Sequence, residues 1–145
     1  MRRWMGVLAL AFLLGGCAAG KTTEQGKLID PPPAVACGTE ERRHMTGINE
    51  DARKCMLTNF ASGTPAQFVT SILTEEGDPI FYTVRVMAKD RVEVDVDTTK
   101  DKFGEQKVTH YVCKTLANRI LPNERHYQVL EATGCKGGPN AEITF

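Results

Sequence analysis

No stretch of this 145-residue chain is apolar for long enough to cross a bilayer as a helix; the longest hydrophobic run, residues 5–14, is too short. Charge of one sign is not in excess either, because 18 basic residues balance 18 acidic ones. The chain also lacks the G-x-S-x-G, H-E-x-x-H and phosphate-loop patterns. These absences disfavour a helical membrane span, a nucleic-acid partner and the common motif-bearing enzymes.

The N-terminus combines a basic start, Arg2 and Arg3, with the short apolar run, which is typical of an export signal. The run closes on Leu14-Gly15-Gly16-Cys17, which resembles the lipobox of bacterial lipoproteins. The resemblance implies that residues 1–16 are removed and that Cys17 becomes the first residue, diacylated with palmitate-like chains. Acyl chains anchor a protein through about 0.8 kcal/mol per buried CH₂. An ordinary signal peptide with a chance cysteine is the alternative.

Ala18 follows the predicted anchor in place of an aspartate. In Gram-negative lipoproteins this implies the outer membrane, facing the periplasm; in a Gram-positive source the protein would lie on the outer face of the cell membrane. Removing 1–16 leaves a slightly acidic chain that is long enough for one domain. We predict a lipidated cysteine and flexible, proline-rich tether over 17–36, followed by a single domain over 37–145.

Four cysteines remain besides the anchor, which in an exported chain indicates two disulfides. Three connectivities are possible, and we favour Cys37–Cys55 with Cys113–Cys135. The first would pin the incoming tether against a helix, and the second would join two neighbouring strands. Zinc binding is disfavoured, because the spacings are wide and there is no C-x-x-C.

The pattern predicts one helix over 50–62, with Asn49 as its N-cap, Gly63 just past its end and Pro65 preventing continuation. Strands are predicted over 67–74, 80–87, 91–97, 107–117 and 126–133. The fold class is therefore α+β, with one N-terminal amphipathic helix packed on a mostly antiparallel, disulfide-braced sheet of about five strands. The tail after Cys135 is predicted to be loose, although Ile143 and Phe145 can dock.

The register of the predicted hairpin between the strands 80–87 and 91–97 follows from its valines. A three-residue loop over 88–90 is predicted, because a two-residue loop would put the valines of 80–87 on the same face as the carboxylates of 91–97. The predicted pairs are Val86 with Val92, Val84 with Val94, and Arg85 with Glu93.

Two phrases, T-E-E-G-D-P-I over 74–80 and D-T-T-K-D-K-F-G over 97–104, stand out together with Cys113 and Cys135. In this combination the chain resembles a family of small bacterial lipoproteins with a domain of unknown function. The resemblance covers about residues 49–135 and implies the same α+β arrangement, but it carries no activity, ligand or catalytic residue. The extra pair Cys37 and Cys55 departs from the pattern. Both phrases also have a simple structural reading as turns.

The chemical candidates are carboxylates, because no motif supplies a nucleophile. Spacing of Asp95-x-Asp97 resembles a calcium loop, but Lys100 stands where such a loop needs glycine and Gln106 where it needs glutamate. The candidate ligands for a metal or other ligand are Asp78, Asp95, Asp97 and Asp101, with Glu105 nearby. Solvated carboxylates at strand edges are the alternative.

Of the three histidines, His44, His110 and His126, only His110 lies in a clear pattern. Because it shares strand parity with Val108 and Val112, we expect a core or interface histidine.

Two functions are compatible with these features. The first is a lipid-anchored module that binds an envelope protein, glycan or peptide through a sheet face or edge. The alternative is an envelope enzyme or calcium-binding protein that uses Asp78, Asp97 and Asp101. We predict no cofactor, and we favour the binding module over the enzyme.

Overall fold

The computed structural model describes residues 35–43, 46–120 and 128–145. Cys17, His44, His126 and the predicted signal peptide lie outside these residues. In the part described, no helix is long and apolar enough to cross a membrane. The elements in chain order are β1 (Val35–Arg42), α1 (Glu50–Ser62), β2 (Ala66–Leu73), β3 (Pro79–Ala88), β4 (Arg91–Asp97), β5 (Val108–Cys113), β6 (Thr115–Ile120), β7 (Gln128–Thr133) and β8 (Glu142–Thr144).

The strands form a five-stranded sheet in the order β1-β2-β3-β4-β5 and a three-stranded sheet, β6-β7-β8. Every pair is antiparallel except β1 with β2. The α+β class is thus confirmed, but the helix is not N-terminal, because β1 precedes it. Parallel neighbours need a crossover connection, and α1 provides it between β1 and β2. Val35 and Ala36, assigned to the tether, belong to β1.

The helix begins and ends where its sequence signals predict. Asn49 accepts a hydrogen bond from the amide of Ala52 at 3.1 Å, and Gly63 adopts the left-handed conformation with φ 74°. Ala52 and Met56 are buried on its inner stripe. The predicted range 50–62 is confirmed.

The β3–β4 hairpin keeps all three predicted pairs: Val86 with Val92, Val84 with Val94, and Arg85 with Glu93. Its closure differs, since Ala88 lies opposite Arg91 and a turn at Lys89 and Asp90 connects the strands. The predicted three-residue loop is therefore wrong. Met87 forms a bulge. Because this extra residue shifts the register, the hairpin closes with a two-residue turn while its valines still face the core.

Both favoured disulfides, Cys37–Cys55 and Cys113–Cys135, are confirmed. The predicted strand 107–117 is split at Lys114 into β5 and β6, which belong to different sheets. The second disulfide therefore braces the junction between sheets. Placing Cys113 opposite Cys135 in an antiparallel pair predicts that Thr115 lies opposite Thr133, and β6 and β7 have this register. The predicted tail is loose only in part, because β8 pairs with β7.

The core lies between the inner face of the five-stranded sheet and the layer formed by α1 and the second sheet. The predicted docking of Ile143 and Phe145 is confirmed, since both are buried there. The opposite, outer face is formed by the alternate residues of each strand. It carries Phe81 on β3, Asp95 and Asp97 on β4, and His110 on β5, and most of it is half-buried or exposed.

Candidate functional site

The register of the five-stranded sheet gives it two distinct ends. At one end, Val35 aligns with the start of β2, the β3–β4 turn and Cys113. We call this the proximal end, because β1 begins there. At the other end, β1 finishes at Arg42 beside the turn 74–78 and the loop 98–107. From the usual rise per residue of a strand, this distal end lies about 23 Å from the proximal end.

The two phrases singled out in the sequence meet at the distal end. Asp78, in the turn, accepts hydrogen bonds from the backbone amide of Lys102 at 3.0 Å and from its Nζ at 3.1 Å. The hydroxyl of Thr74 accepts from the amide of Asp78 at 3.1 Å, which fixes the turn itself. Asp78 is buried although Lys102 is exposed. The carboxylate therefore fastens the loop 98–107 to the neighbouring turn.

The loop is also held from within. Asp97 accepts from the amide of Thr99 at 2.9 Å, and Asp101 accepts from the amides of Phe103 and Gly104, both at 3.0 Å. The hydroxyl of Thr98 donates to the carbonyl oxygens of Glu105 and Lys107, which closes the base of the loop. Short polar side chains that bond nearby backbone groups stabilise loops in this way. Ten residues without regular secondary structure are thus held in one conformation.

An exposed aromatic ring stands near the tip of this loop. Phe103 is 77% exposed, and it lies at the same end of the sheet as Val108, 57% exposed, and Phe81, 37% exposed. Single exposed apolar residues are common on proteins, and this end of the sheet carries three of them.

Beside this group lies a pocket of ≈ 190 Å³ on the outer face. Its apolar wall is formed by Leu73, Pro79 and Phe81, and its polar wall by Ser71 and charged residues of β1. The residues that line it are Glu41, Arg42, Arg43, Ser71, Leu73, Pro79 and Phe81. We call the pocket, the turn 74–78 and the loop 98–107 together the distal surface.

Replacing Asp78 with alanine is expected to release the loop, because both hydrogen bonds to Lys102 lose their acceptor. Limited trypsin digestion then cuts after Lys100 and Lys102 faster than in the unchanged protein. Glu76→Ala is the matched control, since Glu76 lies in the same turn and is exposed. Equal cleavage rates for the two variants would show that Asp78 does not hold the loop.

The same contact predicts an acid-sensitive loop. The backbone and side-chain hydrogen bonds from Lys102 lower the pKa of Asp78 from its ordinary 3.8, and the bond from Thr99 lowers the pKa of Asp97. A carboxylate whose pKa is lower in the folded protein than in the unfolded chain stabilises the fold at a pH above its unfolded-state pKa. This contribution is lost as the pH falls through its folded-state pKa. With Phe103→Trp as reporter, emission should stay constant above pH 3.8 and change below it. A change at higher pH would contradict this assignment.

The four candidate carboxylates do not share one site. Asp95 lies on the outer face, where it pairs with Arg85 and with Nδ1 of His110 at 2.6 Å, whereas Asp78, Asp97 and Asp101 each bind different donors at the distal end. Within the described ranges, no group of three His, Cys, Asp or Glu residues is arranged to hold a metal ion. Calcium binding stays a prediction.

His110 does not lie in the core. It shares its face with Val108 and Val112 as predicted, but that face is the exposed one, while Tyr111 and Cys113 point inward. The parity was right and the core position was wrong, because the inward residues of β5 are an aromatic and a cysteine and not its valines. A position of His110 at an interface stays a prediction.

Sequence reasoning missed two parts of the molecule. It noted the phrase that contains Phe103 but gave the ring no role, although an aromatic residue between Lys102 and Gly104 in a polar stretch is a usable signal. It also missed the buried pair of Glu40 and Arg53, which lie on different elements, β1 and α1. Comparisons with models of protein families, with curated proteins and with solved structures found no match.

Proposed function

We propose that this protein is a lipid-anchored component of a bacterial cell envelope whose domain binds a partner through the distal surface. One observation carries the binding role: Phe103 is exposed on a loop that hydrogen bonds hold in place. A few buried aromatic residues dominate most protein interfaces. A loop whose backbone is already held by hydrogen bonds loses little backbone conformational entropy when a partner covers its side chains.

The lipobox-like Leu14-Gly15-Gly16-Cys17 supports the anchor. Acyl chains on Cys17 would hold the protein at a membrane, in the outer membrane if the source is Gram-negative. The segment between Cys17 and Val35 can extend by at most roughly 60 Å. Because β1 begins at the proximal end, the distal surface would be the part of the domain farthest from its own attachment point.

The anchor is tested by the mass of the N-terminal peptide in protein taken from bacterial membranes. The proposal expects a peptide that starts at an acylated Cys17, and Cys17→Ser should release the protein from the membrane fraction. An uncleaved, unmodified N-terminus would overturn this part of the proposal.

The binding role is tested by cross-linking intact envelopes and isolating the anchored protein. The wild-type protein should bring down a saturable partner, and Phe103→Ser should lose it. The control is Val35→Ser, because Val35 is also an exposed apolar residue, 44% exposed, but lies at the proximal end. A partner retained by Phe103→Ser, or lost equally with both variants, would refute the distal surface as the binding site.

A further inference from the structure

Two neighbouring arginines line the pocket of the distal surface. Arg42, the last residue of β1, is only 7% exposed, whereas Arg43 beside it is exposed. Among the described residues, neither arginine forms an ion pair. The Nε atom of Arg42 is buried and has no hydrogen-bond partner. Because nearly all buried polar groups are hydrogen-bonded, this open donor points to a missing acceptor.

The charged residues near Arg42 do not balance its charge. Glu40, which lies on the same side of β1, is already bound to Arg53 by two hydrogen bonds. Burial lowers the pKa of Arg42 from its ordinary value, the charge of Arg53 lowers it further, and the attraction of Glu40 does not offset these effects. Two cations thus share one buried anion, and one further negative charge would stabilise the group.

The rest of the lining suits a ligand that is apolar in part. Leu73, Pro79 and Phe81 form one wall, and at ≈ 190 Å³ the pocket exceeds the roughly 150 Å³ cavity that accommodates benzene. Ser71 adds a hydroxyl group to the opposite wall. Glu41 also lines the pocket, so the charged lining of two arginines and one glutamate carries a single positive charge. A compact apolar group that carries one negative charge matches both the wall and this charge.

We propose that the pocket binds the carboxylate of a ligand whose adjoining group is apolar, either the C-terminal residue of a peptide or a small free acid. The carboxylate accepts hydrogen bonds from Arg42 and Arg43, because the planar guanidinium group matches its two oxygens. The apolar group packs against Leu73 and Pro79. This inference rests on the proposed function, because the pocket is part of the distal surface and the inference names the chemistry of what binds there.

Titration of the purified full chain, followed by nuclear magnetic resonance, tests the charge and the apolar group separately. Benzoate should bind with a Kd of about 1 mM, which is ordinary for a ligand of its size. Benzamide has nearly the same shape but no charge, so it should bind about tenfold more weakly or worse. Inorganic phosphate lacks the apolar group and should also bind more weakly than benzoate. Equal binding of benzamide would overturn the carboxylate, and equal binding of phosphate would overturn the apolar contact.

A tripeptide that ends in phenylalanine, with a free or an amidated C-terminus, distinguishes the two sources of the carboxylate. A peptide acid that binds at least as tightly as benzoate identifies a peptide C-terminus as the ligand. A peptide acid that binds more weakly than benzoate identifies a small free acid. An amidated peptide that binds as well as the peptide acid would contradict the proposal.

Arg42→Met gives the sharpest readout, because two effects of different sign are expected. Benzoate binding should fall by about tenfold or more. The melting temperature without ligand should stay the same or rise, because the variant removes a buried charge that lacks a partner. An arginine that serves only to hold the fold would instead lower the melting temperature when it is replaced. Arg91→Met is the matched control, since it removes the same charge from an exposed position at the proximal end, and it should leave binding unchanged.

Two variants of exposed residues keep the test decisive if Arg42→Met does not fold. Arg43→Met should weaken benzoate binding, and Glu41→Gln should strengthen it, because the first removes an attractive charge and the second a repulsive one. Unchanged binding in both variants would overturn the proposal. Wild-type protein that binds neither benzoate nor the peptide acid would also overturn it.

The outcome for this pocket is separable from the outcome for Phe103. If the pocket binds no carboxylate while Phe103→Ser still loses its cross-linked partner, the proposed function stands and only this inference fails. If benzoate binding depends on Arg42 while Phe103→Ser keeps its partner, the pocket stands as a binding site and the role of the loop fails.

Discussion

Arg53→Met is expected to lower the free energy of unfolding by about 3–5 kcal/mol, because it leaves a buried carboxylate without its counter-charge. Arg53 binds Glu40 through two bonds, Nη2 to Oε1 at 2.6 Å and Nε to Oε2 at 3.0 Å. The side chains are only 5% and 0% exposed. The hydroxyl of Thr70 and the amide of Asn49 also donate to the same carboxylate, at 3.0 and 2.9 Å. This cluster ties together β1, α1 and β2.

Urea unfolding of the domain measures the loss. The matched control is Arg91→Met, which removes an arginine that is paired with Glu93 but lies mostly in solvent. Exposed pairs contribute at most about 1 kcal/mol, so the control should change little. A loss below about 1 kcal/mol for Arg53→Met would mean that the buried pair is not needed to hold β1. The double variant Glu40→Met with Arg53→Met should be less destabilised than Arg53→Met alone, because the carboxylate that lost its counter-charge is removed as well.

The same pair sets a pH dependence. Burial tends to raise the pKa of Glu40, but the hydrogen bonds from Arg53, Asn49 and Thr70 and the charge of Arg53 outweigh it and lower the pKa from its ordinary 4.5. The pKa of Glu40 is lower in the folded protein than in the unfolded chain. Ionised Glu40 therefore makes its full contribution to the free energy of unfolding above pH 4.5, and this contribution is lost as the pH falls through the lowered pKa. The stability gap between the wild type and Glu40→Gln should therefore shrink as the solution is acidified below pH 4.5.

Phe145→Ala is expected to cost about 3–5 kcal/mol, as for other fully buried phenylalanines. Its ring is completely buried in the core, with its centroid 5.8 Å from that of Tyr82. Its backbone exchanges two hydrogen bonds with Leu130, at 2.9 and 2.8 Å. The last residue of the sequence thus closes the layer between the two sheets.

Thermal and urea unfolding measure this effect, with the exposed neighbour Thr144→Ala as control. The control should lie within about 1 kcal/mol of the wild type, because the side chain packs against nothing in the core. A small and equal effect of both substitutions would show that the tail is dispensable. It would then support the looser tail that the sequence suggests.

The features that the sequence predicted depend on local patterns. The caps of α1 are read from Asn49 and Gly63, and the alternation of valines against carboxylates fixes the faces of β3 and β4. The cysteine pairs follow from an even count together with the predicted elements. In each case the signal is a residue type at a position that the sequence itself shows.

The features that were missed depend on long-range contacts. The inward residues Glu40 and Arg42 of β1 are charged, so the strand has no apolar alternation. Burial of Glu40 depends on Arg53, Thr70 and Asn49, which all donate to its carboxylate. Residues 107–117 were predicted as one strand, but the chain changes sheets at Lys114. No local feature of the sequence marks this change. Asp78 and Asp101 were named as candidate ligands, but the hydrogen bonds by which they hold the loop that carries Phe103 became visible only in the structure.

Position-resolved photo-cross-linking in cells tests most directly whether the distal surface binds a partner. A photoreactive amino acid is placed at position 103 on the loop or at position 90 in the exposed β3–β4 turn of the proximal end. We expect a discrete cross-linked product from position 103 and none from position 90. Products from position 90 alone, or the same product from both positions, would contradict it.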